Sequence, residues 1–242
     1  MRIVMMGTGP FAVPTFRWLL ESKHDVPALV TRPPRAARGK AAEAAGPMQE
    51  IAERHGLPVL MPESVNTPAA QDAIRALGAD LFVVCDYGQI LSPESLALAP
   101  LGGINLHGSL LPKYRGAAPV HWAVMHGDAE TGVSVIHMTP RLDGGPLIAV
   151  RRTPIRADET TPELEARLAE IGVDAVAEAI ELLAAAPIGT AIGEPQDAAL
   201  ATKAPRLAKA DGAVDWTHSA AQIRNQVRGL KPWLGTYTHW LR

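Results

Sequence analysis

The chain has 242 residues, 47% of them hydrophobic and 20% charged, with a formal net charge of −2. That length suits one large domain, or one domain with part of another, and can bury a sizeable core. The near-neutral balance excludes a uniformly basic polyanion binder. No apolar run approaches the ~20 residues that span a bilayer, and the one cysteine, Cys85, excludes an intramolecular disulfide and fits a reducing, cytoplasmic compartment.

Residues 2–6 read as an apolar strand, Gly7-Thr8-Gly9-Pro10 as a turn and residues 11–20 as a helix. The spacing Gly7-x-Gly9-x-x-Ala12 matches a dinucleotide-binding turn. That fingerprint wants an acid at the end of the second strand, and here Arg32 follows the strand at 26–31. Glycines that only make a tight strand-to-helix turn are the better reading of the motif alone. Arg32, Arg35, Arg38 and Lys40 then stand with no acid between Asp25 and Glu43. Pro33, Pro34 and Gly39 keep that stretch out of helix, so it reads as a loop that is solvated or meets phosphates. A helix at 47–55, a strand at 57–60, a helix at 69–77 and a buried strand at 81–85 follow. This alternation predicts an α/β fold with a doubly wound, mostly parallel sheet.

The central stretch is residues 103–119. Alternation along a strand at 104–107 puts Asn105 and His107 on one face. Open α/β sheets bind ligands at the carboxyl ends of their strands, although an isolated Asn-x-His also reads as a polar strand end. A helix at 120–126, a strand at 133–138, a turn holding Asp143 and a strand at 147–155 come next. Alone, Asp143 would read as a turn-forming aspartate. Thr160 and Glu163 cap a helix whose apolar stripe is Leu164, Leu168, Ile171, Ala175 and Leu182. Residues 187–205 have a linker's composition. A helix at 219–229 is expected to turn Ile223 and Val227 inward and Arg224 and Arg228 outward. Residues 203–242 carry net +5 against −7 on the rest, which suits either a polyanion or a solvated helix face. The histidines show no ligand spacing with the acids or Cys85, so no metal is expected.

Several stretches together resemble the folate-dependent formyltransferases. They are Gly7-Thr8-Gly9-Pro10-Phe11-Ala12-Val13-Pro14, residues 32–40, Tyr87-Gly88-Gln89-Ile90-Leu91, Asn105-x-His107, Ser109-Leu110-Leu111-Pro112-x-x-Arg115-Gly116-Ala117-Ala118-Pro119, Gly127-Asp128-x-Glu130-Thr131-Gly132-Val133 and Leu142-Asp143. Asp215-Trp216 and Arg228-Gly229-Leu230-Lys231-Pro232-Trp233 resemble the start of that family's C-terminal β-barrel.

The resemblance implies a Rossmann-like catalytic domain at 1–186, a linker at 187–205 and, at 206–242, the opening segment of a shortened C-terminal domain. It implies formyl transfer from 10-formyltetrahydrofolate, without a metal, to a primary amine. The expected acceptor is initiator methionyl-tRNA, met by a cytoplasmic monomer with no membrane contact. A nucleotide-linked amino sugar as acceptor, or a catalytically silent folate- or RNA-binding relative, are the alternatives.

Asn105 would donate to the developing oxyanion, while His107 and Asp143 would move protons. Tyr87, Gly88, Gln89, Ile90 and Leu91, with Ser109, Leu110, Leu111 and Pro112, would line the folate site. Arg32, Arg35, Arg38 and Lys40 would meet acceptor-stem phosphates, and Arg115 and Gly116 would shape the loop or meet the amine. Three departures stand out. Pro34-Arg35 replaces an acid, Gly144-Gly145-Pro146 replaces Thr-Gly-Asp, and Asp86 replaces a more usual alanine.

Overall fold

A computed structural model of the chain describes residues 1–34, 45–187 and 189–239. Arg35, Arg38 and Lys40, part of the predicted basic loop, lie outside the described residues. In chain order the elements are β1 (Ile3–Gly7), α1 (Val13–Glu21), β2 (Leu29–Val30), α2 (Pro47–Arg54), β3 (Val59–Leu60), α3 (Pro68–Arg75), β4 (Leu81–Cys85), α4 (Pro93–Leu96) and β5 (Gly103–His107). After them come β6 (Arg115–Gly116), α5 (Pro119–His126), β7 (Glu130–His137), β8 (Leu147–Pro154), α6 (Thr161–Ala185), β9 (Lys203–Ala204) and α7 (Ala220–Gly229). Seven strands form one sheet in the order β3-β2-β1-β4-β5-β7-β8, and β6 pairs with β9 in a second. The first five strands run parallel; β7 and β8 are antiparallel to their neighbours.

The sheet is buried on both faces, which explains its apolar strands. Ile3, Met5, Leu81, Val83, Ile104 and Leu106 face one core with α1 and α6. Val4, Met6, Phe82, Val84, Ile74 and Tyr87 belong to the core on the other face. α6 begins as its cap predicts: the Glu163 carboxylate accepts from the Thr160 backbone N–H at 2.8 Å. Its buried stripe shifts late in the helix, where Leu183 is buried and Leu182 lies exposed. A 25-residue helix drifts around its axis relative to a fixed repeat, so the predicted placement of Leu182 fails there.

α7 also turns differently from the sequence expectation. Arg228 is buried and Val227 exposed. The Arg228 guanidinium donates to the carbonyls of Arg156 at 3.2 Å and Glu159 at 3.0 Å. These carbonyls satisfy its N–H groups, which is what lets a cation face inward.

The glycines after β1 have a packing reason. A Cβ on Gly7 would stand 2.9 Å from the Cys85 carbonyl oxygen, and one on Gly9 would overlap the Asp86 carboxylate. The β1 turn therefore lies directly against the end of β4.

Candidate active site

β5 ends beside β7, with Asn105 in register with Ile136 and His107 with Ser134. Two residues apart on one strand, Asn105 and His107 share a face, about 6.6 Å apart along the strand. The Asn105 amide is half-buried and has no hydrogen-bond partner in the protein among the described residues.

The His107 ring is buried, and its Nε2 lies 2.9 Å from the Tyr114 carbonyl oxygen. A carbonyl only accepts, so Nε2 carries a proton and donates it there. Nδ1 is left facing Asp143 Oδ1 at 3.8 Å. That separation is too long for a hydrogen bond and leaves the Nδ1 position open to a passing proton.

Tyr114 is a well-held anchor. Its N–H donates to Thr202 Oγ1 at 2.8 Å, and its hydroxyl donates to Asp128 Oδ2 at 3.0 Å. Burial, and then the Asp128 hydrogen bond and charge, push that hydroxyl up, so it stays a protonated donor.

Asp143 sits in the turn between β7 and β8 with a positive φ of 48°. Its Oδ2 accepts from the Gly116 N–H at 2.9 Å, which leaves Oδ1 toward His107. Only glycine fits at Gly145, where any Cβ would run into the His137 carbonyl. Asn105, His107 and Asp143 thus come from the end of one strand and the turn beyond the next.

The folate-lining residues predicted from sequence fall into two loops. Ser109 to Pro112 is pinned from below by Ser134, whose hydroxyl donates to the Ser109 carbonyl at 2.8 Å and accepts from the Leu111 N–H at 3.1 Å. Leu111 is buried and Leu110 half-buried. In the other loop Tyr87 and Leu91 turn into the core, and Gly88 and Ile90 are exposed. The Gln89 amide faces away, accepting from Val65 N–H at 2.8 Å and donating to the Pro62 carbonyl at 3.0 Å. The Tyr87 hydroxyl is buried without a partner among the described residues.

Arg32 stands beside Gly88 in a cleft of about 440 Å³ that Gln89, Ile90 and Asn66 also line. None of Asn105, His107 and Asp143 lines that cleft. Arg115 and Gly116 form β6, and the Arg115 guanidinium is taken up by Gln196.

Sequence reasoning missed Gln196, Ser134, Thr202 and the Tyr114 carbonyl. Three of these are isolated polar side chains without a motif, and the fourth is a backbone group that no residue pattern announces.

Asp86 lies at the end of β4; although the residue is exposed, partial desolvation of its carboxyl pushes it up to about 6, opposed by a hydrogen bond from the Phe11 backbone. Burial first, and then the Asp86 charge, push Glu165 up to about 7. His121 Nδ1 is 3.6 Å from Glu165, but burial lowers the His121 pKa, so this contact is not an ion pair at neutral pH. Among the described residues no three His, Cys, Asp or Glu side chains converge as metal ligands. No helix among them is long and apolar enough to cross a membrane.

The family model described as formyl transferase matches residues 1–180, and the formyl transferase C-terminal domain model matches residues 206–242. A methionyl-tRNA formyltransferase of Rhodopirellula baltica is 55% identical over 99% of this chain and 73% of its own length. That of Citrifermentans bemidjiense is 44% identical over 98% of this chain and 74% of its own. Among solved structures, HypX from Aquifex aeolicus in complex with tetrahydrofolic acid superposes with a TM-score of 0.71 at 17% identity, covering 98% of this chain and 36% of that one. WlaRD, a sugar 3N-formyl transferase, gives 0.71 at 16% identity over 95% of this chain and 78% of that one. At such identities the superpositions show a shared fold alone.

Proposed function

The chain belongs to the formyl transferase family, and on that premise we propose that Asn105, His107 and Asp143 carry its chemistry. The protein transfers a formyl group from 10-formyltetrahydrofolate to the amino group of methionyl-tRNA. When bound, the folate supplies the formyl group on its N10 nitrogen.

The residues suit that donor. Backbone groups of residues 87–91 and 109–112 border apolar side chains, as a flat heterocycle requires.

Asn105 donates its amide N–H to the formyl oxygen as negative charge builds there. His107, fixed through Nε2, keeps Nδ1 available to hold or release a proton. Asp143, fixed through Oδ2, takes the proton of the attacking amine on Oδ1, directly or through water, and His107 passes a proton to N10 as the formyl–N10 bond breaks.

The single observation that carries this reading is that contact. One nitrogen of His107 and one oxygen of Asp143 are each tied to backbone, and the two untied atoms face each other at 3.8 Å. Alanine at Asn105, His107 or Asp143 should each lower kcat by about 10² or more with KM for the folate little changed. Undiminished turnover in all three variants would sink the mechanism.

The wider reading follows from the same premise. Arg32, Arg35, Arg38 and Lys40 meet acceptor-end phosphates of initiator methionyl-tRNA, contacts that position without reading sequence. Residues 1–186 act as the catalytic domain and residues 206–242 open the C-terminal one. The protein works as a cytoplasmic monomer, which sedimentation with and without tRNA tests.

A further inference from the structure

We propose that Gln196 is a positioning residue for Asp143, an inference that rests on the catalytic reading of Asp143 above. Gln196 lies in the stretch whose composition reads as a linker, yet that stretch is tied down around it. Glu194 exchanges two backbone hydrogen bonds with Leu147, each 2.8 Å, at the start of β8. Beyond Gln196, β9 pairs with β6.

The Gln196 side chain uses all its hydrogen-bonding capacity here. Its Nε2 donates to the carbonyls of Asp143 at 2.9 Å and Gly145 at 2.7 Å. Its Oε1 accepts from Arg115 Nε at 3.0 Å and Nη2 at 2.6 Å. The partners fix the amide's orientation, since carbonyls only accept and a guanidinium only donates.

The consequence is geometric. Asp143 stands in a left-handed conformation, φ 48°, that a non-glycine residue adopts at a cost. Two donors from Gln196 clamp the carbonyl of Asp143 itself and that of Gly145, two residues further on. The acceptor end holds Arg115, whose neighbour Gly116 binds the Asp143 carboxylate. One side chain therefore sets both the backbone and the carboxylate contact of Asp143. A displacement of about 1 Å in such a group lowers rate by about 10².

Gln196→Met removes both donors and the acceptor at similar length. Gln196→Glu keeps the acceptor for Arg115 but turns an anionic oxygen against two carbonyls, and it carries the same test if Gln196→Met fails to fold. Formyl transfer is measured for each, and again in an Asp143→Ala background under single-turnover conditions. In the parent background kcat should fall about 10- to 100-fold, with KM for 10-formyltetrahydrofolate within about threefold. In the Asp143→Ala background the same changes should alter the rate less than about twofold, because nothing remains to be positioned. Equal losses in both backgrounds, or a parent-background kcat within about twofold, would overturn the role of Gln196 and leave Asp143 in place. Undiminished turnover in Asp143→Ala alone would instead overturn the reading of Asp143.

Discussion

In its proposed role, Asn105 differs from a structural residue. Its amide has no partner among the described residues, so its removal leaves no buried group stranded. Asn105→Ala should lower kcat about 10²–10³-fold while the melting temperature moves by about 2 °C or less. Kinetics beside thermal unfolding checks this, and a large fall in Tm with kcat retained would make Asn105 a packing residue.

Asp86 and Glu165 make a separate prediction. Their folded pKa values lie near 6 and 7, above the ordinary 3.8 and 4.5. Between about pH 4 and pH 7 the folded state therefore holds protons that the unfolded state has released, and stability falls as pH rises through that window. Glu165→Gln should melt with the parent at pH 4 and above it at pH 8. The Glu165 side chain is 40% exposed, so solvent screening keeps the gap small. A gap that does not grow with pH would contradict the assignment.

At the scale of elements, β5 and β7 build the site together. Ser134 of β7 is fully buried and satisfies two backbone groups of the loop after β5. Ser134→Ala strands both, at about 1–3 kcal/mol for each buried group left unpaired, and should raise KM for the folate as the loop relaxes. Urea unfolding and donor titration measure the two effects.

Most of this level was legible in sequence. Period-2 alternation placed Asn105 and His107 on one strand face, and the alternation of strand and helix gave the sheet. Asp143 was readable only through family resemblance, since a lone aspartate in a Gly-rich turn is ordinary. The role of the 194–204 stretch was invisible because a Gly/Pro/Ala composition says nothing of which carbonyls lie across from Gln196. Arg228 was misplaced for a related reason. Helical periodicity marks a cation as outward unless carbonyls wait to receive it, and those of Arg156 and Glu159 come from another element.

For the whole molecule, the fold brings the ends of β1, β4 and β5 to one edge, where the proposed catalytic groups lie, and the basic tail lies in the last 40 residues. The tail is less basic in effect than in sequence, because Arg228 is buried. In the proposed reading, tRNA binding leans on the remaining cations and on the cations at 32–40. KM for methionyl-tRNA should rise steeply with salt as phosphate contacts are screened, and KM for the folate should hardly change. Parallel salt titrations of the two substrates check this.

The most direct test of the account is formyl transfer from 10-formyltetrahydrofolate to methionyl-tRNA, run beside a panel of nucleotide-linked amino sugars and a water-only control. Formylmethionyl-tRNA is the expected product, with no transfer to the sugars and a kcat lower by about 10² or more in Asp143→Ala. Transfer to a sugar alone, or release of formate alone, would contradict the assignment to methionyl-tRNA.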